Sequence, residues 1–184
     1  RGIEEAGLKH ILARHEQGAG FMADGYARAT GKPGIAFVIT GPGLCNIMTP
    51  MGQAYSDSVP MLVISSCLNH GDHAVSKGRL HEMRDQEAAA ATVCDWSKTA
   101  LDVSNVYDLI NKAFYEFSAK RSRSKHIQIP ISLLGSISES NYKLGFNSNN
   151  YLDQPNKHEE TARELEKARR LIVVVGGGAK NAAH

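Results

Sequence analysis

The 184 residues hold only three cysteines and one tryptophan, and no apolar run approaches the length of a bilayer span. Cys45, Cys67 and Cys94 lie far apart, with neither a Cys-x-x-Cys pair nor zinc-ligand spacing. That argues against a disulfide framework and a metal site, and for free thiols in a reducing cytoplasm. Net charge is only +2, from 21 basic and 19 acidic residues, which leaves no electrostatic case for nucleic acid or an anionic membrane. The short basic run KRSRSK at 120–125 reads as a solvated loop. RGIEEAGLKH, at the start, lacks the apolar core of a signal peptide and reads as an amphipathic helix, so the chain is expected to begin inside a domain. Internal repeats are lacking too.

What is present is an alternation of helix and strand. Residues 3–8 read as helix and 10–13 as a short strand. Residues 17–30 set Phe21, Met22, Tyr26 and Ala29 at three- and four-residue spacing, in a helix that Gly31 and Pro33 stop. IAFVIT at 35–40 is nearly all apolar, as expected of a strand buried on both faces. A helix at 44–56, a second buried strand at 61–66 (MLVISS) and a polar loop at 67–80 follow. Next come a helix at 86–93, a strand at 97–101, a helix at 106–119 and a strand at 126–131. The pattern predicts an α/β fold, a parallel sheet flanked by helices on both faces, over a first domain at 1–135. Residues 136–157 are rich in Ser, Asn, Gly and Pro and read as a linker. Residues 158–184 read as the truncated start of a second, Rossmann-like domain: a charged helix at 159–170, a strand at 171–175, then Gly176 to Gly178.

Two phosphate-loop patterns fail on spacing. GYARATGKP is one residue too long between glycines and has Pro33 where a hydroxyl residue belongs. GGGAKN places Asn181 where a dinucleotide loop needs glycine, and a tight strand-to-helix turn is the other reading. Glu16 is more informative. A carboxylate at a helix start can serve the helix dipole alone. Here, however, Gly18, Ala19, Gly20, Ala23 and Gly25 strip bulk from the helix that follows. Each helical glycine costs about 1 kcal/mol, which points to close packing against another backbone, a second helix or a ligand. Gly41-Pro42-Gly43 then closes a strand at its carboxyl end, with Asn46 just beyond. Open α/β sheets bind ligands at that edge.

In this order, RHEQGAGFMADGYARATGKPG, TGPGLCN and QAYSDSVPMLVISS, with LHEMRDQ at 80–86, resemble the pyrimidine-binding domain of thiamine diphosphate enzymes. The chain is most similar to the acetolactate synthase-like group, which spans 2-oxo acid decarboxylases and carboligases. The resemblance runs over residues 3–131, and LIVVVGGGAKNAA is similar to the first strand and turn of that family's central domain. It implies that fold without its first strand, thiamine diphosphate as cofactor, and a 2-oxo acid as substrate. It also implies a homo-oligomer, dimer or tetramer, with the cofactor at a subunit interface.

By the same resemblance Glu16 is catalytic and cofactor-binding, hydrogen-bonding the aminopyrimidine N1′. A dry pocket would keep a proton available there near neutral pH. Gly41, Pro42, Gly43 and Asn46 would flank the ring; turn geometry and helix capping are their plain structural roles. His81 and Glu82 fall on the substrate side, where a proton relay through His81 competes with an ordinary loop histidine. Gln53 reads as structural and Trp96 as core. His70 and His73 have no second ligand at metal spacing. Magnesium is implied with the diphosphate, through a Gly-Asp-Gly…Asn domain that this sequence does not contain. KGRLHE and MGQAYSDS are more similar to decarboxylases of larger, basic 2-oxo acids, such as guanidino-oxopentanoate, than to acetolactate synthases. The alternative class is a non-catalytic, truncated relative acting as a dimerisation module.

Overall fold

A computed structural model describes residues 2–72, 76–138 and 155–179, in two compact units, Arg1–Phe146 and Asn147–His184. The first unit is organised around β2 (Met61–Cys67). Successive side chains of a strand point to opposite faces. Met61 and Val63 accordingly enter one apolar cluster, and Leu62 and Ile64 a second one on the other side. A strand that buries both faces suits the interior of a parallel sheet. β1 (Gly34–Val38) and β4 (Lys125–Pro130) pair with β2 in parallel, with Ala36 opposite Val63 and Ile64 opposite Ile127. β3 (Ser97–Thr99) pairs with β4, giving a four-stranded parallel sheet in the order β1-β2-β4-β3.

Parallel neighbours need crossover connections, and helices supply them. The first cluster packs α2 (Glu16–Thr30), α3 (Pro42–Asp57) and α4 (Gln86–Ala91) against one face. The second packs α5 (Val103–Ala119) against the other, through Val106, Leu109, Ile110, Ala113 and Phe117. These five recur at helical spacing, and the Asp102 carboxylate caps the helix by accepting from the Asn105 N–H at 2.7 Å. Helices therefore cover both faces, as the alternation predicts. Full burial of a Leu, Ile or Met side chain stabilises by about 1.5–3 kcal/mol, and Leu44, Ile47, Met51 and Met61 are wholly enclosed. α1 (Gly2–Glu5) precedes this layer and α6 (Ile131–Leu134) follows β4.

Two glycines have plain physical reasons. A side chain at Gly20 would meet the Pro50 ring of α3 at 2.3 Å, so this position lets α2 and α3 close on one another. Gly41 has φ +65°, a conformation that L side chains rarely adopt.

Four expectations are corrected. The basic run at 120–125 is not wholly a solvated loop: Ser124 and Lys125 are fully buried, and Lys125 opens β4 and pairs with Asp95 at 2.7 Å. β1 is buried on one face only: Ala36 lies under the helices, while Ile35 and Phe37 on the opposite face are exposed, because α5 covers β2 and β4 but not this edge. Residues 10–13 form no strand, and Ile11 and Leu12 are 80% and 89% exposed. An apolar segment becomes a strand only when an edge accepts its backbone, and no described strand lies beside it. The same holds for 171–175 in the second unit, whose apolar side chains are exposed without a ladder. The helix of that unit is α7 (Pro155–Glu166), with surface pairs such as Lys167 to Glu164 at 2.7 Å. Residues 139–154, most of the expected linker, lie outside the described residues.

Candidate active site

The carboxyl ends of β1 and β2 carry the site. Glu16 is the first residue of α2, following His15, whose Nδ1 accepts from the Gln17 N–H at 3.1 Å. Thirty residues on, Asn46 lies in the opening turns of α3 and donates from Nδ2 to Glu16 Oε2 at 3.0 Å. The two helices cannot separate at this end without losing that bond, and the Gly20–Pro50 contact holds them one turn further along.

Between them runs the Gly41-Pro42-Gly43 turn. Pro42 opens α3, where its missing N–H has no partner to lose. Gly43 lies beside the carboxylate: a Cβ there would sit 3.6 Å from Glu16 Oε1 and 2.7 Å from Ile39 Cγ2. On the other side, a Cβ at Gly41 would strike the His81 carbonyl at 2.4 Å and the His81 side chain at 2.8 Å. His81 therefore rests on the turn, with a left-handed backbone at φ +60°. Its ring Nδ1 is buried and finds no hydrogen-bond partner among the described residues. The sequence-derived residues Glu16, Gly41, Pro42, Gly43, Asn46 and His81 thus converge at one corner. Glu82 is turned away, accepting from the backbone N–H groups of Lys77 and Arg79. Gln53 bonds Asp57 within α3, Trp96 packs against the second cluster, and His73 lies outside the described residues.

One participant, the last residue of the LHEMRDQ segment, has a role that the motif does not reveal. Gln86, at the head of α4, is buried, and its Oε1 accepts from the Gly41 N–H at 2.9 Å and from Thr40 Oγ1 at 2.6 Å. Its Nε2 faces Ser65 Oγ at 3.1 Å, the Ser66 carbonyl at 2.9 Å and Gln128 Oε1 at 3.0 Å. Ser65 continues to His126, which lies between Ser65 Oγ (2.8 Å) and Ser97 Oγ (2.7 Å). Burial pushes the His126 imidazole down to about 3, so it is neutral at pH 7. A cavity of about 150 Å³ opens beside Thr40, Cys67, Met83 and Gln86.

The electrostatics of Glu16 follow from its surroundings within one chain. The residue is half-buried, and the Asn46 hydrogen bond, then its own backbone N–H, hold the carboxyl below the usual range against a smaller opposing effect of burial. At neutral pH it is an ionised hydrogen-bond acceptor. That chemistry fits an aminopyrimidine carrying a proton on its ring nitrogen: one carboxylate oxygen is fixed by an amide, the other lies beside a glycine turn without a side chain to block a flat ring. Among the described residues no group of three or more His, Cys, Asp and Glu could hold a metal ion.

Residues 1–89 match the family model described as thiamine pyrophosphate enzyme, N-terminal TPP binding domain. The chain is 43% identical to the probable 2-ketoarginine decarboxylase of Pseudomonas aeruginosa, over 97% of this chain and 32% of that protein. It is 33% identical to the acetolactate synthase large subunit of Buchnera aphidicola, over 94% of this chain and 31% of that one. Against the mitochondrial acetolactate synthase catalytic subunit of Saccharomyces cerevisiae it is 31% identical, over 94% and 26%. These matches support a place for the chain in the thiamine pyrophosphate-dependent enzyme family. It spans about a third of the length of the curated relatives it matches.

Proposed function

We propose that the full-length protein is a thiamine diphosphate-dependent decarboxylase of a 2-oxo acid, and that this chain supplies its acid–base carboxylate. The observation that carries the reading is the Glu16–Asn46 pair, 3.0 Å apart, with Glu16 Oε1 against the Gly41–Gly43 turn at the strand ends. When bound, the cofactor supplies a nucleophilic carbon and an electron sink for the loss of carbon dioxide. Glu16 would exchange a proton with the pyrimidine ring nitrogen, and Asn46 would keep the carboxylate oriented. Gly41, Pro42 and Gly43 would bound the ring. A neighbouring subunit that covered Oε1 would exclude water and raise the carboxyl's pKa toward neutrality. His81, resting on Gly41, would move a proton on the substrate side. Magnesium would accompany the diphosphate, on ligands outside this cluster.

A basic 2-oxo acid is the favoured substrate, because the relative named for 2-ketoarginine is more similar than the acetolactate synthases. A carboligase of the acetolactate type is the neighbouring reading. The test measures carbon dioxide release by the full-length protein from 2-ketoarginine and from pyruvate, with and without thiamine diphosphate. Cofactor-dependent turnover of 2-ketoarginine is expected. Glu16→Gln should lower kcat by about 10²–10⁴-fold with an unchanged melting temperature. Turnover without the cofactor, or full activity in Glu16→Gln, overturns the reading.

The protein is further proposed to work as a dimer or tetramer in the cytoplasm. The outer face of α2 supports the first point: Phe21, Met22 and Tyr26 are exposed there, and Gly18 and Gly25 have open space above them. Three free thiols, two of them buried, support the second. Gly25→Arg should leave the fold intact and convert the oligomer to monomer in sedimentation velocity. An unchanged oligomer would remove α2 from the interface.

A further inference from the structure

We propose that Gln86 is a positioning residue that sets the backbone of the Gly41-Pro42-Gly43 turn, and through it the cofactor-facing geometry of Asn46 and Glu16; the cofactor part of this inference rests on the reading above.

Thr40 and Gly41 join the end of β1 to the start of α3, and neither donates into a helix or sheet ladder at this point. Thr40 N–H goes to Ser66 Oγ at 2.9 Å. The Gly41 N–H and the Thr40 hydroxyl both go to one atom, Gln86 Oε1, at 2.9 and 2.6 Å. Gly41 is buried and has no described water-facing alternative, so this single side-chain carbonyl fixes the peptide at which the chain turns into α3. The amide itself cannot rotate. Its Nε2 is held by the Ser66 carbonyl, Ser65 Oγ and Gln128 Oε1, which belong to the two central strands. Rigid sheet, rigid amide and turn therefore form one unit.

The geometry downstream follows from this. Asn46 lies one helical turn beyond Gly41 along α3, and the Cys45 N–H bonds the Gly41 carbonyl at 2.9 Å. A rotation of the Gly41 peptide would tilt the first turn of α3 and move Asn46 Nδ2 away from Glu16 Oε2. The segment that carries His81 ends at the same residue, since Asp85 caps α4 by accepting from the Ala88 N–H at 2.9 Å and Gln86 is the first residue of that helix. Gln86 thus anchors the turn from below while His81 covers it from the loop side.

The discriminating comparison sets Gln86→Met beside Gln86→Glu and Gln128→Met in the full-length protein. Met matches the size of Gln but leaves the Gly41 N–H and Thr40 hydroxyl without an acceptor. Glu restores the acceptor alone. Gln128→Met removes one of the three acceptors behind Gln86 Nε2 and leaves the bonds of Gly41 and Thr40 to Oε1 in place. Two readouts are taken: amide hydrogen exchange over 39–46 in the cofactor-free protein, and thiamine diphosphate affinity by titration calorimetry with magnesium present.

In Gln86→Met, exchange over 39–46 is expected to quicken while 61–67 and 125–130 stay protected, and cofactor affinity to fall about tenfold or more. Gln86→Glu should recover most of the affinity, and Gln128→Met should lose far less than Gln86→Met, since the Ser66 carbonyl and Ser65 Oγ still hold Nε2. Equal losses in Gln86→Met and Gln128→Met, failure of Glu to restore binding, or loss of protection across the whole sheet would make Gln86 an ordinary core amide and overturn the proposal. If the wild-type protein binds no thiamine diphosphate, the functional reading fails, and the exchange contrast alone still decides whether Gln86 sets the turn.

Discussion

Two glutamates in this chain meet opposite fates. Glu116, on α5, is buried among donors: Trp96 Nε1 at 2.8 Å, Lys125 Nζ at 3.2 Å and Lys120 Nζ at 3.3 Å. Burial pushes its carboxyl up, and those three partners outweigh it and hold the group below the usual range. Glu16, on α2, is also held down, but by one side-chain amide and its own backbone N–H, with water still within reach. A carboxylate saturated by indole and ammonium groups has no remaining chemistry to offer; its work is to neutralise the wholly buried Lys125. A carboxylate steadied by a single neutral donor keeps a face for something else.

That contrast can be broken at the charged end first. Lys125→Ala leaves Glu116 without its buried partner, and Lys125 also contacts Asp95 at 2.7 Å and stands over the Trp96 and Phe117 rings. Loss of about 3–5 kcal/mol in denaturant unfolding is expected. Glu16→Gln should leave the same measurement unchanged, and a comparable loss in both would erase the distinction. A smaller effect comes from pH. His126 is neutral when folded, at about 3, against an ordinary value of 6.5. Its unfolded form takes up a proton first, so the contribution is complete above pH 6.5 and lost as pH falls from there toward 3. Between pH 7 and 5 the loss is about 2 kcal/mol, and His126→Gln should flatten that slope. The smallest change is at the site itself. Asn46→Ala removes the largest influence holding the Glu16 carboxyl down, so the acid limb of the kcat/KM profile should move to higher pH with little change in stability. A profile that does not move would separate Asn46 from the carboxylate's titration.

Much of the fold was legible because its central strands are short apolar runs bounded by turn residues. MLVISS and HIQIPI are strands near where periodicity places them, and Gly31 and Gly41 mark the bends. The small residues after Glu16 and the glycine turn at a strand end marked a binding edge, but the pairing of Glu16 with Asn46 was not legible, since nothing local to residue 16 reveals an amide arriving from residue 46. Residues 10–13 and 171–175 misled for one reason: composition records a preference for extended backbone, and pairing depends on an edge elsewhere. Gln86 closes the LHEMRDQ segment that carries the resemblance, but a hub of hydrogen bonds leaves no periodic trace, so its role was not legible there.

The half-open strand β1 has a practical consequence. With Ile35 and Phe37 bare on one side and a neighbour on only one flank among the described residues, it offers an adhesive margin of unsatisfied main-chain groups beside greasy side chains. A laboratory preparation of this segment by itself would clump through that margin. A gatekeeper lysine in place of Phe37, on the exposed face opposite Ala36, would keep the isolated piece dispersed enough for spectroscopy.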